Sequence, residues 1–343
     1  MLPQILNKDQ VPLFVKSLQQ IYRVVGPVVK EKGFYDYSVI DQPDELAMDY
    51  NITVQSAKKF FYPPFETLLN YVKNQNQDEL QMAVEAPRTV LFGVHPCDIY
   101  ATWLLDDVFG KDPKDPYYLA RRNRAVMIAL DCLKPCDEKQ FCLDMGSLYV
   151  QQGFDIMLTD LGNRYYVEVA SELGENLVNQ SDVFFQATAK DHAAHQQAQL
   201  AKQSSFKNKI PYETKYLPEM LEQSYDSLIW DANARRCFSC GSCNLICPTC
   251  YCFDMSDEDQ INLKEGSRVR RWDGCQLKNF AEVAGGENFR VSAGSRLRHR
   301  LMRKGRYMRM VYGKSGCVGC GRCDRNCTVG ISVLRTYQQI ATT

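Results

Sequence analysis

Residues 237–248 read CFSCGSCNLICP, and residues 317–327 read CVGCGRCDRNC. Both stretches set their cysteines in one frame, three spaced by two residues and a fourth after three more (Cys237, Cys240, Cys243, Cys247; Cys317, Cys320, Cys323, Cys327). A loop with a thiol at every third residue wraps three sulfurs around one compact object, and a cubane 4Fe-4S cluster needs four thiolates at its corners. The rival is zinc, whose structural sites usually pair two C-x-x-C knuckles; neither run has that two-plus-two form. Gly241 and Gly321 hold matching places, where a residue without a side chain lets backbone amides approach cluster sulfurs.

A frame used twice also predicts which cysteine serves which cluster. In the two-cluster ferredoxin arrangement the fourth cysteine of each run crosses to the other cluster. By that rule Cys237, Cys240, Cys243 and Cys327 hold one cluster, and Cys317, Cys320, Cys323 and Cys247 hold the other. Thr328 replaces the usual proline after the last cysteine; proline there shapes a turn and binds no iron, so ligation is expected to be intact. Cys97, Cys132, Cys136 and Cys142 lie in the N-terminal half. Cys97 follows the apolar run 89–94 (TVLFGV), Cys132 follows 125–130 (AVMIAL), and a helical stretch, 98–108, lies between. Strand, helix and strand in about 40 residues predict a parallel βαβ unit. Both cysteines then reach the carboxyl edge of a parallel sheet, where such sheets hold ligands, and Cys136 and Cys142 follow in the next loop. These four are the candidate ligands of a third 4Fe-4S cluster; the alternative is buried free thiols, since cysteine is often interior. Cys250, Cys252 and Cys275 remain, either beside the ligands or as an alternative ligand set.

The rest of the chain frames these motifs. Residues 11–30 carry helix-like apolar spacing (Val11, Phe14, Val15, Leu18, Ile21, Tyr22, Val25) ending near Gly26-Pro27. Residues 65–72, after the Pro63-Pro64 breaker, read as a short helix. Residues 155–159 and 165–169 read as a strand hairpin turning at Gly162-Asn163, and the polar, Ala/Gln-rich 187–206 as an exposed helix or linker. The expected fold is α+β/α/β: an N-terminal α/β domain with a partly parallel sheet over 1–228, then a mainly helical ferredoxin-type two-cluster domain over 229–343. With 343 residues, 45% hydrophobic and 24% charged, the chain can bury a sizeable core. Its 15 cysteines, an odd number clustered in motifs, argue against a disulfide framework. The opening MLPQILNKDQVPLF lacks a secretory signal, and no apolar stretch nears the roughly 18 residues of a membrane span. A reducing cytoplasm, where clustered cysteines mean metal or redox chemistry, is the expected setting.

Several stretches resemble one known family: CFSCGSCNLICPTCYCF (237–253), RRWDGC (270–275), GSRLRHRLMRK (294–304) and GCVGCGRC (316–323). They are similar to the iron–sulfur beta subunit of cytoplasmic NAD(P)-linked nickel–iron hydrogenases (sulfhydrogenases), a family shared with the A subunit of anaerobic sulfite reductase. The likeness continues through FFYPPFETLL (60–69), HPCDIYA (95–101), DCLKPC (131–136) and FCLDMGS (141–147), so it spans most of the chain. The family usually has C-F-C before its Met-Gly pair. Here Gln140-Phe141-Cys142 stands there, with Cys136 upstream, which leaves the third ligand set open.

The resemblance implies an electron relay with no catalytic residues of its own. It would run between a flavoprotein subunit that oxidises NAD(P)H and a separate catalytic subunit of hydrogenase type, or alternatively of sulfite reductase type. The sequence agrees by what it lacks: a G-x-G-x-x-G after a strand, a Ser/His/Asp or Cys/His arrangement, and paired C-x-x-C motifs of nickel-site character. His95, beside Pro96, reads as structural or close to a cluster, and His299 as solvated. A redox sensor is the remaining alternative, but it should carry an effector domain and no such motif is present.

Net charge is zero, yet residues 264–325 hold 16 Lys/Arg against 5 Asp/Glu. Three readings compete for the arginine-rich 296–309 (RLRHRLMRKGRYMR): neutralising thiolate-ligated clusters, docking an acidic partner, or binding nucleic acid. The last calls for interleaved aromatics and a basic domain. The stretch through 312 offers Tyr307 and Tyr312 in a neutral chain, so no nucleic-acid partner is expected.

Overall fold

In the computed structural model, which describes residues 1–74 and 77–341, the runs TVLFGV and AVMIAL are buried along their whole length. In chain order the strands are β1 (Gln4–Asn7), β2 (Arg23–Glu31), β3 (Phe34–Val39), β4 (Phe65–Val72), β5 (Glu79–Met82) and β6 (Thr89–Val94). They continue with β7 (Ala125–Leu130), β8 (Ile156–Asp160), β9 (Arg164–Val169), β10 (Phe184–Gln186), β11 (Phe253–Asp259) and β12 (Glu265–Trp272). The larger sheet has the order β10-β1-β9-β8-β7-β6-β2-β3. Its centre, β2 to β6 to β7 to β8, is parallel, and the flanking pairs are antiparallel.

Strand period explains why the central runs are apolar throughout. Val90 and Phe92 with Val126 and Ile128 face one core, against Phe14, Val15 and Leu18 of the helix Val11–Gln19. Leu91 and Val94 with Met127 and Ala129 face the other, against Ile99 and Leu105 of the helix Pro96–Gly110. A parallel sheet covered on both faces needs apolar side chains at every position, and each full burial of a large one contributes about 1.5–3 kcal/mol. The expected parallel βαβ unit is therefore present, as are the hairpin β8–β9 and the helix Ala189–Ser205.

Two local readings are corrected. The helix from residue 11 stops at Gln19, and residues 23–31 form β2, with Gly26 and Pro27 inside the strand. The β-branched run around them (Val24, Val25, Val28, Val29) prefers a pleated surface over a helix. Residues 65–72 are the strand β4 rather than a helix. Glu66 and Leu68 alternate inward, and Glu66 is stitched to β12 by Arg270, whose Nε and Nη2 donate to Oε1 at 2.8 and 2.6 Å.

That contact belongs to the smaller sheet, ordered β11-β12-β4-β5 and antiparallel throughout. A mainly helical C-terminal region is not what residues 253–272 form: they are a long hairpin paired onto β4. The helical packing expected there is real around it. Leu217, Leu221, Trp230, Leu297, Leu301 and Tyr337 make one core, with Cys237, Cys317 and Cys323 against it. No described helix is long and apolar enough to cross a membrane.

Candidate iron–sulfur centres

The two cysteine runs fold alike. Gly241 (φ 75°) precedes the short helix Ser242–Leu245, and Gly321 (φ 73°) precedes Arg322–Arg325. This left-handed backbone is open to glycine at little cost. A Cβ at Gly321 would also stand 2.8 Å from the carbonyl oxygen of Lys139. The two short helices pack on each other, which places the runs side by side.

An enclosed cavity is lined by Cys247, Cys317, Cys320 and Cys323, together with Arg300 and Lys304. These four cysteines are the set that the crossing rule assigns to one cluster. In the other set, Cys240 is exposed, while Cys237, Cys243 and Cys327 are half-buried. Ser239 N–H donates to Cys237 Sγ at 3.4 Å, and Ile331 N–H to Cys327 Sγ at 3.2 Å. Cys327 follows the helix Arg322–Arg325 by two residues, and that helix packs on the first run.

Burial pushes the thiols up: Cys317 to about 12, Cys243 to about 12 and Cys320 to about 11. As free thiols they stay protonated at neutral pH, and loading a metal centre would release their protons. Cys247 differs, being held low by a hydrogen bond from Cys250 against its burial, with Lys304 and Arg300 assisting.

The charges around the cavity test whether an anionic group fits. Arg300 and Lys304 are buried, and Lys58, also buried, donates to Cys250 O at 2.9 Å. Arg300 Nη2 donates to Cys243 O at 3.2 Å while its Nε lacks a partner, and Lys304 Nζ donates to Thr249 Oγ1. Among the described residues no carboxylate forms an ion pair with any of the three. A buried, uncompensated charge costs several kcal/mol. Thiolates ligating an iron–sulfur cluster supply the negative charge these cations lack, so the donor set and its surroundings fit such a group.

The N-terminal cysteines gather at the expected edge. Cys97 opens the helix after β6 and Cys132 follows β7. Cys97 and Cys320 pack in one apolar group with Cys136 against it, and Cys142 in another with Cys132 against it. Burial raises all four thiols, Cys142 to about 12, and Cys142 and Cys97 both feel Cys320. This thiol group thus adjoins the second run. The loop carrying Cys142 is fastened to that run: Phe141 N–H donates to Gly319 O at 2.8 Å and Ser147 Oγ to Val318 O at 2.5 Å. A groove at the same sheet edge is lined by Cys132, Cys136 and His95. His95 is buried, stacked on Tyr50 with centroids 4.2 Å apart, and pushed down to about 3 by burial. His299, expected to be solvated, is half-buried and pushed down to about 4.

Sequence reasoning missed the residues that bind these groups together. Arg322 joins Asp98 through two hydrogen bonds, Nη1 to Oδ1 at 2.6 Å and Nη2 to Oδ2 at 2.7 Å, both side chains buried. Asn244 Nδ2 donates to Cys275 Sγ at 3.3 Å and to Cys250 Sγ at 3.6 Å, so two of the three unassigned thiols share one amide. Neither role has a local signal, since Asp98 lies 224 residues from Arg322 and Cys275 lies 31 residues from Asn244.

Residues 236–331 match the 4Fe-4S dicluster domain family. Over 336 residues the chain is 34% identical to the sulfhydrogenase 2 subunit beta of Pyrococcus furiosus, covering 98% of this chain and 97% of that protein. No solved structure matches the chain. With cluster-type cysteine runs, a cavity suited to an anionic centre and similarity along nearly its whole length, the chain belongs to the sulfhydrogenase beta-subunit family, iron–sulfur subunits that transfer electrons through 4Fe-4S clusters.

Proposed function

We propose that this chain relays electrons between a flavoprotein subunit that handles NAD(P)H and a nickel–iron hydrogenase catalytic subunit, within a cytoplasmic hetero-oligomer. Three 4Fe-4S centres are assigned. Cys237, Cys240, Cys243 and Cys327 hold the first, Cys317, Cys320, Cys323 and Cys247 the second, and Cys97, Cys132, Cys136 and Cys142 the third. Bound there, such clusters take up and release single electrons.

The observation that carries the reading is the continuity of the thiol groups. They run from exposed Cys240, through the enclosed cavity of the second run, to thiols beside Cys320 that border a surface groove. Arg300 and Lys304 supply positive charge within the path, and the buried ring of Phe141 forms part of the cavity wall. A division near residue 228 separates the segment bearing the third thiol group from that bearing the two cysteine runs. β4 and the Arg322–Asp98 pair hold the two together.

The test is anaerobic purification of the native complex, identification of its subunits, and reduction by NAD(P)H with the cluster spectra followed. A flavoprotein and a nickel–iron subunit, with clusters reduced only when the flavoprotein is present, support the reading. A sirohaem subunit would move the assignment to sulfite reduction, and a lone chain with an oxidation-dependent effector would make it a sensor.

A further inference from the structure

The helical stretch from Ala293 to Tyr312 is broken by one π-turn, Arg303–Tyr307, between the α-helical pieces Ala293–Met302 and Met308–Tyr312. Met308 N–H bonds back to Arg303 O, five residues earlier. A π-turn widens the helix, rotates the following side chains and often marks a functional position. Here the Lys304 carbonyl accepts Gly316 N–H at 2.7 Å and Ser315 Oγ at 3.3 Å, holding the strap that leads into Cys317. Gly305 keeps the turn seated, because a Cβ there would stand 2.4 Å from Leu221 Cδ1.

The Lys304 side chain is buried, whereas Arg306, two residues on, pairs with the exposed Glu222. Lys304 Nζ donates to Thr249 Oγ1; that oxygen lies 3.4 Å from Cys247 Sγ and donates to Gly316 O at 2.5 Å. One buried ammonium is therefore fixed beside the cysteine that crosses from the first run to the second, in the wall of the second run's cavity. Among the described residues it has no carboxylate partner. The opposite end of the path, at Cys240, is exposed to solvent, which screens charge.

We infer that Lys304 sets the electron affinity of the site formed by Cys247, Cys317, Cys320 and Cys323, making it the preferred resting place for an electron in the relay. The inference rests on the proposed ligand set. A fixed positive charge stabilises the more negative, reduced state of an adjacent centre. A lysine kept for packing alone would tolerate a neutral residue of similar length without any change in potential.

The test is a redox titration of the native complex, read by electron paramagnetic resonance, with iron measured in parallel for wild type, Lys304→Gln and Lys304→Arg. Lys304→Gln is expected to keep its iron and lower one midpoint by at least about tenfold in the reduction equilibrium, about 59 mV for a one-electron couple; Lys304→Arg restores it. A fully loaded Lys304→Gln with an unmoved midpoint overturns the inference. If that variant loses iron, Thr249→Val, which frees the ammonium without removing it, is expected to lower the same midpoint by less, and an unmoved value overturns the inference. A wild-type complex whose chain shows no 4Fe-4S signal would overturn the ligand assignment beneath it.

Discussion

Replacing Asp98 by Asn attacks the joint between the larger sheet and the second cysteine run. Asp98 lies in the first turn of the helix Pro96–Gly110, 2% exposed, and Arg322 lies in the run, 1% exposed. Arg322 also donates from Nε to Thr53 O at 2.9 Å and from Nη2 to Thr53 Oγ1 at 3.0 Å. The substitution keeps the volume and removes one charge, leaving a guanidinium without its counter-charge in the protein interior. Breaking a buried pair on one side costs about 3–5 kcal/mol, because the remaining charge is left uncompensated. Asp98→Asn and Arg322→Met should therefore each lose about 3–5 kcal/mol, and the double variant, which buries no lone charge, should lose clearly less than the sum. The assay is urea unfolding of the anaerobic protein by far-UV circular dichroism, with iron release followed on the same samples. Single variants as stable as wild type, or a double variant losing the sum of both, would refute the claim that this pair welds the two parts.

Other substitutions probe ligation and backbone. Cys240→Ala and Cys320→Ala should each remove about four iron per chain and stop electron flow, because a missing thiolate leaves an iron under-coordinated; iron analysis and the spectrum of the remaining clusters check this. Cys275→Ala should keep all its iron, since its thiol accepts from Asn244 and lies outside the assigned ligand sets; loss of a cluster signal would show the assignment to be wrong. Gly321→Ala should destabilise by at least about 1–2 kcal/mol, the cost of a left-handed backbone for a residue with a Cβ, with the contact to Lys139 adding to it. Its urea midpoint against that of Gly330→Ala, a left-handed glycine with open space around it, separates the two effects.

The parts legible in the sequence were those whose physics is local. TVLFGV and AVMIAL announce a sheet covered on both faces because every position is apolar, and the cysteine frame announces its own geometry. Residues 65–72 were misread because the inward-facing Glu66 breaks the apolar alternation, and its partner Arg270 lies 204 residues away. Residues 23–31 were misread because Ile21, Tyr22 and Val25 continue the helical spacing, although the β-branched valines argued otherwise. The arginine-rich segment was legible as charge. Its division was not, because the π-turn alters the register that decides which side chains face inward. Arg322 stands between two cysteines of the second run, and only the folded chain brings it to Asp98.

Iron and acid-labile sulfide per chain, measured on anaerobically purified protein, test the central claim most directly. The account predicts about twelve of each, from three four-iron centres. About eight would contradict the third centre and leave Cys97, Cys132, Cys136 and Cys142 as buried thiols, and zinc in place of iron would contradict the relay itself.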